Sequence, residues 1–308
     1  MFSKEPFHDG EIDMQERTGE REIARMNSVS VKDEILSAAL SFIERQSLIV
    51  VATQDSNENL WASVLFGKPG FVQAKSTKEL HVLLSQAHFI SGDPVLANIE
   101  NDCRVGALMI ELDTRRRLKI NGRTTAHDEN ELTIAVEESF PLCPKYIQRR
   151  KVRLPEEGSP LEQTISTVSG TKLGNQEVNL IQNSDTMFSA TSNPHGNLDV
   201  SHRGGKPGFV RVLNDTTLRV PDFAGNSMFN SLGNLQLNDK AGVIILDFAS
   251  RQSLQIAGRA EVLLDQDDPD NETGGTHRFW TFTVERWLRG TIPAVEIEFI
   301  DASPFNPK

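Results

Sequence analysis

The sequence predicts a mainly β protein made of two tandem barrel domains with short helices, and three observations lead there. The hexamer Gly-Lys-Pro-Gly-Phe-Val stands at Gly67–Val72 and again at Gly205–Val210. A spacing the size of a domain signals a duplicated domain rather than a solenoid. The match runs well past the hexamer: Leu96, Asn98 and Asp102 recur as Leu232, Asn234 and Asp239, and GALMIELDTRRRLKINGR from Gly106 to Arg123 aligns with GVIILDFASRQSLQIAGR from Gly242 to Arg259. Finally, short segments rich in β-branched and aromatic residues alternate with turn residues, which reads as an antiparallel meander. Closing such a meander into a barrel removes its exposed edges.

Residues 1–30 read as a polar N-terminal arm, helical or irregular. Ser30 and Asp33 resemble a capping box, and Ile35, Leu36, Ala39, Leu40, Phe42 and Ile43 follow at helical spacing. The first barrel, residues 31–153, continues through the strand segments LIVVAT, LWASVLF, FVQA and LHVLL, a short helix opened by Asp93-Pro94, and the strands RVGALMIEL and RRLKING. Residues 154–182 are expected to be a linker with a short helix, because LPEEGSPLEQTIS is rich in Pro, Glu, Ser and Gly. The second barrel, residues 183–308, repeats the order, and DQDDPDNETGGT from Asp265 to Thr276 reads as a solvated surface loop.

Composition narrows the function classes. Among the 308 residues, 43 acids against 32 bases give a net charge of −11, which repels polyanions and argues against nucleic acid as a partner. The apolar runs are too short to span a bilayer, and the acidic N-terminus lacks the apolar core of a secretory signal, so a cytoplasmic protein with no membrane partner is expected. Two cysteines, Cys103 and Cys143, build neither a disulfide framework nor a thiolate metal site, and the seven histidines are scattered, so no metal is expected.

The places where the two copies differ point to the site. Before the shared hexamer the first copy reads LWASVLF from Leu60, an apolar strand, whereas the second reads LDVSHRG from Leu198. Ser201, His202, Arg203, Gly204 and Gly205 together make a candidate anion site, since a guanidinium fork matches phosphate oxygens and glycines admit close backbone approach. Downstream, PDFAGNSMFNSLGNL from Pro221 lacks the pattern of a nucleoside triphosphate loop but places Asn226 and Ser227 where a helix is expected to start. On the strands ending in Gly-Arg, Ser253 and Gln255 match Arg117 and Lys119. Period two puts each pair on one face; Gln255 is suited to a flat heterocycle, and the charged pair reads as a solvated face.

These strings, with FHDGE and QERTG between Phe7 and Gly19 and CPKYIQRR from Cys143 to Arg150, resemble the pyridoxamine 5′-phosphate oxidase-like flavoproteins, the FMN-binding split barrels, and in detail their long duplicated members. The resemblance covers nearly the whole chain. It implies two split barrels paired within one chain and FMN in a groove between them. Arg203, Ser201 and the Asn226–Ser227 turn are then expected to carry the 5′-phosphate, with His202 and Gly204 beside them. Phe223, Asn230 and Gln255 are expected along the ribityl chain or ring, and Lys145, Tyr146, Arg149 and Arg150 of the first copy to form the covering wall. The implied activity is an FMN-dependent oxidoreductase with a small-molecule substrate, a separate electron donor and the option of a homodimer. No reductase or iron–sulfur segment follows the second barrel in this sequence. The alternatives are a non-catalytic flavin-binding protein, or a split barrel that holds a deazaflavin or haem, the last with His202 or His195 as ligand.

Overall fold

The computed structural model describes residues 5–155 and 167–307. The arm is a helical hairpin, α1 (Asp9–Arg17) and α2 (Arg21–Ser28), followed by the short α3 (Leu40–Glu44). Next come β1 (Leu48–Gln54), β2 (Leu60–Gly67), β3 (Val72–Ser76), β4 (Glu79–Leu83), β5 (Ala87–Phe89), α4 (Val95–Asn101), β6 (Arg104–Glu111), β7 (Arg116–His127) and β8 (Glu131–Leu142). The second part has β9 (Arg149–Arg153), β10 (Val168–Gly170), α5 (Asn175–Asn183), β11 (Thr186–Ser192), β12 (Leu198–Gly204), β13 (Arg211–Asn214), β14 (Thr217–Pro221), α6 (Asn230–Leu237), β15 (Lys240–Asp247), β16 (Gln252–Leu263), β17 (Phe279–Thr291) and β18 (Glu296–Asp301).

The chain is mainly β, in two antiparallel sheets that curl into split barrels. One sheet has the strand order β3-β4-β8-β7-β6-β1-β2-β5 and the other, read from its far edge, β13-β14-β17-β16-β15-β11-β12. The orders correspond strand for strand except for β5 in the first sheet and β10, which pairs with β17, in the second. Among the described residues no helix is long and apolar enough to cross a membrane.

The apolar character of β1 and β2 follows from burial on both faces. Along β1, Ile49 and Val51 enter the core of the first barrel with Met109, Leu118 and Ile120. The alternate residues Leu48, Val50 and Ala52 face the second barrel and join Ala62, Val64, Phe66, Phe188, Ala190, Val200 and Ile244 in a third core between the barrels. Each of the larger of these side chains, Leu, Val, Ile and Phe, contributes roughly 1.5–3 kcal/mol when fully buried, so the inter-barrel core is part of what stabilises each half. Two glycines set how close the halves come. A Cβ on Gly106 of β6 would lie 2.9 Å from the Leu198 carbonyl oxygen, and one on Gly242 of β15 would lie 2.3 Å from that of Leu60. Each barrel therefore presses one strand against the other's edge at matching positions.

Three local expectations are corrected. The helix expected from Ile35 starts two residues later, as a 3-10 turn over Ser37–Ala39 that runs into α3, because Lys32 pairs with Ser139 through both backbone groups and the Ile35 N–H donates to the Thr77 carbonyl. The strand β8 goes unread in the sequence although Leu132, Ile134 and Val136 alternate into the core. Of the expected linker 154–182, residues 156–166 lie outside the described residues. Its remainder carries the expected short helix, α5, and is packed on the second barrel: β10 pairs with β17, and Leu173, Leu180 and Ile181 enter the second core. Likewise β9, assigned to the first barrel, pairs with β18 in a separate two-stranded ribbon.

Candidate functional site

A cleft opens between the barrels where the edge strand β12 faces β7. From β12 it takes Ser201, His202, Arg203 and Gly204, and from the loop joining β14 to α6 it takes Asp222, Phe223, Gly225, Asn226, Ser227 and Phe229. The first turn of α6 adds Asn230 and Ser231, and Arg278 enters just ahead of β17. The first barrel supplies Arg117 and Lys119 from β7, with Cys143 and Tyr146 beyond β8, and the arm supplies Glu20.

The charges form a partly compensated network. Asp222, buried, accepts from Arg203 Nη1 at 2.9 Å and from Arg278 Nε at 3.0 Å. Glu20 accepts from Arg278 Nη1 at 2.8 Å and from Ser227 Oγ at 2.6 Å. Lys119 is fully buried; its ammonium pairs with Asp199 and donates to Ser201 Oγ at 3.0 Å. Arg117 is different. Its guanidinium donates to the Cys143 carbonyl and has no carboxylate partner among the described residues. Burial, reinforced by Arg203, pulls its pKa down to about 10, so it stays charged at neutral pH. The guanidinium is half-buried, with Nε sealed from solvent and without an acceptor, an arrangement that is costly and that a bound anion offsets. The remaining donors of Arg203 likewise find no protein acceptor among the described residues. Burial, together with Arg117, Arg203 and Arg150, holds the His202 pKa well below the usual imidazole range, so this ring is neutral.

The same cleft carries aromatic rings. The Tyr146 and Phe223 rings lie 4.7 Å apart, tilted by 39°, and the Tyr146 hydroxyl donates to the Ala224 carbonyl at 3.0 Å. Phe209 and Phe229 also line the cleft, Phe229 beneath the Arg278 guanidinium.

Of the residues the sequence singles out, Ser201, His202, Arg203, Gly204, Phe223, Asn226, Ser227, Asn230 and Tyr146 line this cleft. Several of them do work other than that expected. The helix starts at Asn230, not at Asn226, because Phe229 caps it in the left-handed region. Asn226 is turned inward, its side chain accepting from the Met228 N–H; Ser227 is committed to Glu20, and Asn230 donates to Glu11 at 2.6 Å. Gly204 is required by packing, since a Cβ there would sit 2.2 Å from the Tyr146 carbonyl oxygen.

Four residues lie elsewhere. Gln255 is buried on the opposite side of the inter-barrel core, donating to Asp93 and to the Ala62 carbonyl, each at 3.0 Å. Lys145 sits over the Phe305 ring, Arg149 pairs with Asp301, and Arg150 pairs with Asp185 beneath Phe248 and Phe299. The expected cationic cover is therefore engaged in holding the ribbon of β9 and β18. The cations that do enter the cleft from the first barrel are Arg117 and Lys119, the pair whose alternation reads as a solvated face. Arg278, Asp222 and Glu20 carry no signal in the sequence, because distant segments bring them together.

Neither a protein-family model nor a curated protein matches the sequence. Among solved structures it is similar to a protein from Clostridium acetobutylicum related to general stress protein 26 of B. subtilis, of the pyridoxinephosphate oxidase family (14% identity, 41% of this chain and 92% of that chain, TM-score 0.29). It is also similar to a FAD-binding protein from Mesorhizobium loti (14% identity, 41% and 98% covered, TM-score 0.28) and to the heme storage protein HutZ from Vibrio cholerae (12% identity, 37% and 92% covered, TM-score 0.27). The chain is similar to proteins of the pyridoxamine 5′-phosphate oxidase type. At these identities and TM-scores the likeness bears on no residue of the cleft, whose chemistry stands on its own side chains.

Proposed function

We propose that the cleft binds flavin mononucleotide and that the protein is an FMN-dependent oxidoreductase acting on a small molecule. The observation that carries this reading is Arg117, a half-buried guanidinium with no carboxylate partner among the described residues, lining the same cleft as the unpaired donors of Arg203 and the rings of Tyr146 and Phe223. An anionic end joined to an aromatic body fits that donor set. In this reading Arg117 and Arg203 hold the phosphate, a bidentate match for guanidinium groups. Tyr146 and Phe223 line the flat part and exclude water, and Lys119, fixed by Asp199, keeps a positive charge beside the cleft.

When bound, the flavin supplies the hydride and electron transfer, and the protein supplies position and electrostatics. Electrons come from a separate donor or from the substrate itself. The two sheets are read as copies of one ancestral unit, so the cleft is complete within one chain whether or not two chains associate.

A haem reading fits less well. His195 is exposed on the turn before β12, and both His202 ring nitrogens are buried from solvent, the ring standing edge-on to Phe188. The visible spectrum of the purified protein tests the proposal: two oxidised-flavin bands, with FMN released on heating, are expected. A colourless protein that fails to take up added FMN would sink it. A bound flavin that neither NADH, NADPH nor any tested substrate reduces would leave a flavin-binding protein rather than an enzyme.

A further inference from the structure

The loop from Asn226 to Asn230 is held in an unfavourable backbone shape by a segment more than two hundred residues earlier in the sequence. Ser227 and Phe229 have φ of 63° and 61°, the left-handed region that non-glycine residues rarely adopt. Such residues cost about 1–3 kcal/mol each and persist only where their surroundings over-determine them. Here the surroundings are the hairpin of α1 and α2. Gln15, fully buried, donates to the Met228 carbonyl at 3.1 Å; Asn27 donates to the Asn226 carbonyl at 2.8 Å; Glu20 accepts from Ser227 Oγ; Glu11 accepts from Asn230. The hairpin can reach the loop because α1 lies directly on α6: a Cβ on Gly233 would sit 2.6 Å from the Glu11 Cα.

Glu20 does more than tie down Ser227. It is the outer end of a chain of ion pairs that runs Glu20, Arg278, Asp222, Arg203, with contacts of 2.8, 3.0 and 2.9 Å. Removing its carboxylate leaves Arg278 one acceptor and loosens the carboxylate that orients Arg203.

We infer that the N-terminal hairpin is a positioning element of the cleft: Glu20, with Gln15 and Asn27, holds the Asn226–Asn230 loop in its strained shape and, through Arg278 and Asp222, fixes the Arg203 guanidinium. The loop's strain is stored against the hairpin, so the shape of the cleft depends on a segment that contributes only one of its lining side chains.

The test compares the full chain with Glu20→Ala, Glu20→Gln and Asn27→Ala by hydrogen exchange over residues 221–232, with no ligand added. Glu20→Ala is expected to speed exchange there by about tenfold or more, the consequence of losing hydrogen bonds to charged groups, while strands β15 and β16 keep their protection. Glu20→Gln, which retains an acceptor for Ser227, should restore most of it. Should Glu20→Ala fail to fold, Asn27→Ala at the rim is expected to raise exchange in the same residues to a smaller degree. Unchanged exchange in the folded variants would overturn the inference.

A second arm, FMN titration, rests on the proposed function. Glu20→Ala should bind FMN at least about fivefold more weakly. Tighter binding would overturn the inference by showing that the carboxylate competes with the ligand's phosphate. If the wild-type chain binds no FMN, the exchange measurement still decides the role of the hairpin, so the two readings fail separately.

Discussion

Lys119 crosses from β7 to Ser201 on β12, and Gln255 crosses from β16 to Ser63 on β2, each reaching from one barrel to the matching serine of the other. The two crossings are built alike and lead to opposite results. Beyond Ser201 the strand continues His202, Arg203, Gly204 and leaves a cationic cleft. Beyond Ser63 it continues Val64, Leu65, Phe66, all buried in apolar cores. On that side the backbone of Ile90 and Ser91 crosses to β17 so closely that a Cβ on Gly290 would lie 2.6 Å from the Ser91 carbonyl oxygen. Asp93 follows, accepting from Ser63 Oγ at 2.7 Å and from Gln255. One groove stays open as the proposed site and the other is closed into a joint. The difference lies in which polar groups each barrel projects toward its neighbour: a guanidinium and an ammonium on one side, a hydroxyl and an amide on the other.

The comparison can be broken most forcefully at the two crossings. Lys119→Met leaves Asp199 buried without its ion pair and should destabilise the fold by about 3–5 kcal/mol. Gln255→Met removes a neutral amide and should cost only about 1–3 kcal/mol. Urea unfolding of the two variants measures both, and equal losses would mean that the crossings are interchangeable joints.

A smaller effect separates the grooves by pH. Burial pushes Glu11, behind the cleft loop, up to about 8 and Asp93, in the closed groove, up to about 6. For both, the protonated form is favoured by folding. Their contribution is fully present below the ordinary carboxyl range and is lost as pH rises, through about 6 for Asp93 and through about 8 for Glu11, at up to about 1.4 kcal/mol per pH unit. Glu11→Gln removes the titrating group while keeping one of the two acceptor oxygens that serve the His8 N–H and Asn230, and should flatten stability between pH 6 and 8, whereas Asp93→Asn should flatten it only below pH 6. A Glu11→Gln variant whose stability falls with pH as steeply as wild type would contradict the assignment.

The sequence carried the strands well, because period two and turn residues are local. It carried β12 for a different reason: LDVSHRG departs from LWASVLF in a copy that otherwise matches, which marks a strand released from core duty. The same logic misassigned β7 and β16. Arg117 and Lys119 on one face read as solvated, and Gln255 as a ligand contact, because nothing local reveals that Asp199 waits on the other barrel for Lys119, that the Cys143 carbonyl beyond β8 takes Arg117, or that Asp93 takes the amide. Glu20 and Arg278 were illegible for the same reason, being joined only through the folding of remote segments. The helical hairpin, in turn, was readable as an arm but not as a support, since its contacts are made by single side chains without a repeating pattern.

The central claim, one working groove and one closed groove in each chain, is tested most directly by titrating the full chain with FMN and counting equivalents at saturation. One FMN per chain is predicted, with affinity reduced by about 1.5–3 kcal/mol in Arg117→Ala and in Arg203→Ala and unchanged in Ser253→Ala, the position matching Arg117. Two equivalents per chain, or equal losses from Arg117→Ala and Ser253→Ala, would contradict it.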